Sequence, residues 1–302
     1  MGRKERVLLF TNTITAMNII DLLVAPFTDY AFMKRALAAC VVLSLGSAPL
    51  GVFMTLRRMT LVGDAMSHAI LPGVAVSFLV AGLSVWPMTL GGLAAGIVVA
   101  LLVALLTRFT QMKEDAAFTL LYLLSLAGGV TLVSLKGSSV DLLHLLFGNI
   151  LAIDQDSLVL ITGASCLSLG VLAVLYRRLV IECFDPVFME SVARNSGWTR
   201  FVFFGLLMIN LVASFQALGT LLALGLMILP AIAARFWTRN IDTIIPLSVL
   251  LAVVSSVIGL LASYYGKIPS GSAIVMMAGL IGIMSALTGR YGSAMAYFLN
   301  RG

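Results

Sequence analysis

RRMTLVGDAMSHAILPG, residues 57–73, decides how this chain is read. Apolar residues dominate it and the ten that follow, yet it carries Asp64 and His68 four positions apart. Side chains at i and i+4 share one face of a helix. Pro72 lacks a backbone donor and clashes with the carbonyl four residues earlier, which belongs to His68. The helix is therefore loosened where the polar pair sits, with Gly63 and Gly73 at its edges. Charged groups inside a bilayer are costly and mark function by default.

The surroundings of this stretch are those of a membrane protein. The chain has 302 residues, 61% hydrophobic and 11% charged. A soluble domain is about 45–50% apolar and about a quarter charged. Apolar runs fall near 36–56, 62–83, 88–107, 117–135, 157–178, 200–217, 218–237, 243–264 and 271–288. Most are close to the roughly 20 residues that cross a hydrocarbon core of about 30 Å. The pattern predicts an all-α polytopic membrane protein with about nine spans in one transmembrane domain, 1–302. Residues 7–27 contain Asn12, Asn18 and Asp21. The N-terminal 1–30 therefore reads as an interfacial segment, with a tenth span as the alternative, and no signal-peptide pattern follows the basic start.

Loop charge orients the bundle. If nine spans alternate, Arg57, Arg58, Arg108, Lys113, Arg177, Arg178, Arg194, Arg200, Arg235, Arg239, Arg290 and Arg301 share a side, twelve of the 19 basic residues. That side is cytoplasmic by the positive-inside rule. The net charge of +6 then needs no nucleic-acid partner. Cys40, Cys166 and Cys183 are scattered and odd in number, which fits neither a disulfide framework nor a thiolate cage.

Residues 177–200, RRLVIECFDPVFMESVARNSGWTR, form the largest cytoplasmic interruption, with the loop itself expected over 179–199. Asp185-Pro186 reads as an N-cap and first helical residue, and Gly197 as a helix stop. A short amphipathic helix between them either rests on the bilayer or docks a soluble partner. Ile70-Leu71-Pro72 and Ile228-Leu229-Pro230 lie in spans that run in opposite directions. Paired proline-interrupted spans in inverted halves point to a transport site near the midplane.

A carboxylate oxygen with an imidazole nitrogen suits Zn²⁺, Mn²⁺ or Fe²⁺. Two ligands do not complete a site, so others come from the bundle, water or a second copy. The alternative is an Asp–His hydrogen bond that locks two helices. Asp141 and His144, at i and i+3, are a weaker pair on the outer side, where a polar interfacial face is the plainer reading. Gln216 and Gly219, in SFQALG between two spans, are candidate pathway positions. Tyr264-Tyr265 fits an interfacial aromatic belt. The chain has no HExxH helix and no Walker A motif, since GKIPSGS lacks the spacing.

RRMTLVGDAMSHAILPGVAVSFL closely resembles the signature of permease subunits of bacterial zinc/manganese/iron ABC importers. LFGNILAI at 146–153, FDPVFMESVARNSG at 184–197, QALGTLLALGLMILPAIAAR at 216–235 and YYGKIPSGSAIV at 264–275 resemble the same family in order, over about residues 30–288. The resemblance implies a fold like that of the vitamin B12 and siderophore permeases, with inverted repeats. It implies a multi-pass protein of the bacterial cytoplasmic membrane. It also implies a homodimer, a pair of cytoplasmic ATP-binding subunits that supply the hydrolysis, and an extracytoplasmic metal receptor. Asp64 and His68 match the family's intramembrane metal ligands. Phe184, Asp185, Pro186, Phe188, Met189 and Gly197 fall in the segment that matches its ATPase-docking loop. No permanently bound cofactor is expected; the metal is cargo. Irving–Williams order favours zinc at an unstrained site, with manganese or iron the alternative. A self-powered metal–proton carrier is the competing class, because the same pair could relay protons.

Overall fold

The computed structural model describes residues 19–82, 84–135, 153–184 and 196–299, and within them every regular element is helical. In chain order these are α1 (Ile19–Asp29), α2 (Ala31–Leu56), α3 (Thr60–Ala69), α4 (Leu71–Ala81), α5 (Val85–Phe109), α6 (Glu114–Leu135), α7 (Gln155–Phe184), α8 (Ser196–Leu218), α9 (Thr220–Arg235), α10 (Ile241–Gly266), α11 (Ser270–Thr288) and α12 (Ala294–Leu299). Among the described residues, eight stretches are long and apolar enough to cross a membrane, with α3 and α4 counted together as Thr60–Ala81. The 16-residue α9 is a ninth, shorter apolar helix. Each of the nine apolar runs in the sequence corresponds to one of these.

The most buried of the long spans are α2 and α8, and the others wrap around them. Lipid tails are as apolar as leucine, so helices associate in a membrane through close packing of small residues and internal hydrogen bonds. α2 follows that rule. Ala36, Ala39, Cys40, Ser44, Ser47 and Ala48 are all buried along it. Ser44 and Ser47 donate to the carbonyls of Cys40 and Leu43 at 2.6 and 2.7 Å, so neither hydroxyl is left bare in the core. The core is divided by depth. One cluster, around Phe53, Met66, Phe118, Leu179 and Phe203, fills the half that contains the α2–α3 turn. Another, around Met33, Cys40, Ile161, Leu218 and Ile274, fills the half that contains the α10–α11 turn.

Most of the described basic residues gather at one end of the bundle, while Lys34, Arg35 and Lys267 lie at the other. Arg57, Arg58, Lys113 and Arg200 line one cavity of about 860 Å³. Arg235 donates to the carbonyl of Thr55 at 3.0 Å, and the Arg239 guanidinium stands 5.0 Å from the Tyr291 ring. At the opposite end the rings of Tyr30 and Tyr264 are 5.6 Å apart, and those of Tyr264 and Tyr265 are 5.1 Å apart. This segregation is what the positive-inside orientation requires. The described part of the N-terminal segment, α1, packs on α2 and α10 at the aromatic end.

Three boundaries differ from those read in the sequence. α7 does not stop near residue 178 but runs on to Phe184, because Glu182 in its last turn is paired rather than solvated. The expected loop over 179–199 is thereby shortened at both ends. Gly197 is not a helix stop. α8 begins at Ser196, and the apolar run from Trp198 carries the helix back through Gly197. Pro230 does not break its span either, and α9 is continuous through it. Membrane helices tolerate interior proline where neighbouring groups satisfy the freed carbonyl. The break on that side is at Gly219, whose φ of 83° and ψ of 161° separate α8 from α9. That region of the map is open essentially to glycine alone.

Candidate metal-binding cleft

The break before Pro72 is where the sequence places it. α3 ends at Ala69, Ile70 is a turn residue, and α4 begins at Leu71 with the proline in its first turn. There the missing donor is no loss, since the first amides of a helix have no intrahelical partner. Gly73 follows because α4 lies against α5. A Cβ at residue 73 would stand 2.0 Å from the carbonyl oxygen of Gly91, a distance no side chain can occupy. On α3, Gly63 faces Met54 of α2 and Met227 of α9.

This arrangement aims Asp64 and His68 into a cleft of about 580 Å³ between α3 and α9. Leu61, Leu221, Leu224 and Ile228 supply most of its apolar wall, with Thr60 and Thr220 as polar positions. Neither threonine was singled out in the sequence; an i, i+4 spacing from Asp64 back to Thr60 is the signal that was there. By the helix rise, His68 lies about 15 Å along the chain axis from Arg58, near mid-depth of a core of about 30 Å.

His68 Nε2 is 3.7 Å from Asp64 Oδ1. That is beyond hydrogen-bond range. Two donors each about 2.1 Å from a tetrahedral ion stand about 3.4 Å apart, so a small rotation about either χ angle closes the pair on one cation. Asp64 is 56% exposed in its side chain and His68 24%. The carboxylate thus opens into the cleft while the imidazole leans back into the protein. There its ring lies 6.1 Å from that of Tyr122 on α6. His68 Nδ1 is buried and has no hydrogen-bond partner among the described residues. The Ser67 hydroxyl is turned the other way, donating to the Asp64 carbonyl at 2.8 Å. Among the described residues no group of three or more His, Cys, Asp and Glu side chains gathers to hold a metal.

The other expected positions are distributed as follows. Asp141 and His144 lie outside the described residues, as do Asp185, Pro186, Phe188 and Met189. Phe184 closes α7 and is 69% exposed. Gln216 lies in the last turn of α8, three residues before Gly219. Pro230 sits within α9, beside the cleft-lining Ile228, Leu229 and Ile232. A buried ionic cluster at the basic end, in which Glu182 is 3.0 Å from Arg57 and 3.3 Å from Arg200, has no counterpart among the positions expected from sequence.

The geometry agrees with what the chain is similar to. The manganese import system permease protein ScaB of Streptococcus gordonii is 32% identical over 257 residues, 85% of this chain and 91% of its own length. The manganese transport system membrane protein MntC of Listeria innocua is 33% identical over 253 residues, 84% of this chain and 89% of its own. The chelated iron transport system membrane protein YfeD of Yersinia pestis is 29% identical and covers 90% of both chains. Among solved structures, PsaBC from Streptococcus pneumoniae in complex with Fab superposes with a TM-score of 0.81 at 28% identity, over 94% of this chain and all of that one. An inward-facing putative metal-chelate type ABC transporter shares the fold at a TM-score of 0.66 and 16% identity, over 82% of each chain. The family model described as ABC 3 transport family matches residues 29–289. The chain belongs to the ABC 3 transport family: it is a multi-pass permease subunit of the cytoplasmic membrane and not itself an enzyme.

Proposed function

We propose that this chain forms the translocation pathway of an ATP-driven importer of divalent transition metal, with manganese as its foremost cargo. The observation that carries this reading is the Asp64–His68 pair, held 3.7 Å apart at mid-membrane depth in a cleft that one chain leaves open. A carboxylate facing lipid there would cost several kcal/mol. A second copy laid across the cleft removes that cost and brings two further ligands, making four. Asp64 supplies the anionic oxygen and His68 the nitrogen; water or Thr60 and Thr220 complete the shell.

The donor set by itself favours zinc, because affinity rises toward the end of the Irving–Williams series. Two of the relatives are named for manganese and one for chelated iron. Selection within that set follows from the loading receptor and from cleft geometry rather than from raw affinity. ATP is hydrolysed by a pair of cytoplasmic ATP-binding subunits, and an extracytoplasmic receptor delivers the ion. For net import the cleft must hold metal in one conformation and release it in another, since a cycle with equal affinities moves nothing. Cells lacking their own importers, given this chain with its partners, should accumulate radiolabelled Mn²⁺ faster than Zn²⁺. The reverse order would reassign the cargo to zinc. Uptake by the chain alone, driven by a proton gradient, would replace the importer with a carrier.

A further inference from the structure

We propose that Glu182 is the positioning residue through which the adjoining ends of α7 and α8 move helix α3, which carries Asp64 and His68. The proposal rests on the permease reading above. Glu182 is almost fully buried, with 3% of its side chain exposed, and it lies two residues before the end of α7. Its carboxylate meets Arg57 Nη2 at 3.0 Å and Arg200 Nε at 3.3 Å. Arg200 is the fifth residue of α8. Glu182 and Arg200 therefore join the last turn of α7 to the start of α8.

The third member leads to the cleft. Arg57 caps α2, and its side chain is 8% exposed. Its guanidinium also lies 4.9 Å from the centre of the Phe203 ring on α8. The next residue, Arg58, has a φ of 59°, a left-handed conformation that residues other than glycine seldom adopt. Two residues later α3 begins at Thr60, and Asp64 lies one turn inside it. The backbone between Arg57 and α3 is thus a short, fixed corner. The other wall of the cleft is tied to the same place, since Arg235 at the end of α9 donates to the carbonyl of Thr55. The last turn of α2 holds the bases of both cleft walls, and Glu182 holds that turn to the joined ends of α7 and α8.

A buried ion cluster of this kind is weak support for stability, because desolvation cancels much of its attraction. Its use lies in register: removal of the carboxylate leaves the buried Arg57 without its counter-charge and removes the ionic tie between α2 and α7. The test uses the assembled transporter, this chain with its ATP-binding subunits and receptor, in liposomes. The readout is manganese moved per ATP hydrolysed, for wild type, Glu182→Gln, Glu182→Asp and Arg200→Gln. Glu182→Gln keeps the shape and loses the charge. Its transport ratio should fall about tenfold while hydrolysis continues, the scale of coupling changes along such connections. Glu182→Asp should recover half or more of the ratio. Arg200→Gln, which removes the more exposed cation, should show a smaller loss and gives the reading should Glu182→Gln fail to assemble. Equal falls in uptake and hydrolysis, with the ratio unchanged, would overturn the assignment, as would an aspartate no better than glutamine. A wild-type assembly that moves no manganese with ATP would sink the permease reading and this assignment together. A coupled wild type with an equally coupled Glu182→Gln would sink the assignment alone.

Discussion

His68 Nε2 and Asp64 Oδ1 stand 3.7 Å apart across one turn of α3, too far for a hydrogen bond and close to the spacing of two ligands on one cation. A locking hydrogen bond between two helices would show a shorter distance and a partner on another element. The arrangement therefore predicts that metal, and not the apo fold, depends on the pair. In the purified protein, Asp64→Asn and His68→Ala should each weaken Mn²⁺ binding by at least about a hundredfold, the upper end of what loss of a mere supporting partner costs. Thermal unfolding without metal should shift little. A large drop in apo Tm with binding retained would make the pair structural.

The openness of the cleft predicts an assembly. Leu61 lines it and is 74% exposed, an apolar side chain one turn below the exposed carboxylate of Asp64. In cysteine-substituted protein in native membranes, Leu61→Cys should cross-link one copy to another with a short bifunctional thiol reagent, and Leu61→Arg should lower the dimer fraction. Val174 on α7 is more exposed still, at 82%, but lies outside the cleft. Val174→Cys should not cross-link, and equal yields at the two positions would remove the cleft from the interface.

Two glycines carry backbone geometry that no other residue fits. Gly219 has a φ of 83°, and Gly73 would drive a Cβ to within 2.0 Å of the Gly91 carbonyl oxygen. Gly219→Ala should destabilise the protein by about 1–3 kcal/mol through backbone strain. Gly73→Ala should cost about as much through overpacking of α4 on α5. Gly163→Ala is the control, because nothing lies within 4 Å of its added carbon. Detergent-solubilised Tm values that fall equally for all three would refute this account of the two breaks.

Much of this could be read from the sequence, and what could not follows from the nature of the missing signal. Length and apolar continuity mark spans directly, so the eight long spans among the described residues were visible, as was the shorter, 16-residue α9. Asp64 and His68 stood out as candidates because a membrane helix has few other reasons to carry them. The end of α7 was misplaced because Arg177, Arg178 and Glu182 read as a solvated loop. Glu182 is instead neutralised by Arg57, 125 positions away, and by Arg200. Such a pairing leaves no trace in a single sequence. Gly197 and Pro230 misled for a related reason. A glycine before a long apolar run can start a helix as well as end one, and a proline five residues from a helix end need not break it.

A docking role for FDPVFMESVARNSG rests on pattern and resemblance alone, since 185–195 lie outside the described residues. Met189→Arg and Phe188→Glu should each detach or uncouple the ATP-binding subunits while leaving metal bound at Asp64 and His68. Normal co-purification and normal stimulated hydrolysis for both variants would show that this segment only rests on the bilayer.

The central claim is that metal crosses the membrane by way of the α3–α9 cleft. It is tested most directly by radiolabelled Mn²⁺ uptake into importer-deficient cells that express this chain with its partners, wild type against Asp64→Asn, at matched amounts of assembled protein. Robust uptake by the wild type and uptake at background for Asp64→Asn are expected. Wild-type rates from Asp64→Asn would contradict it.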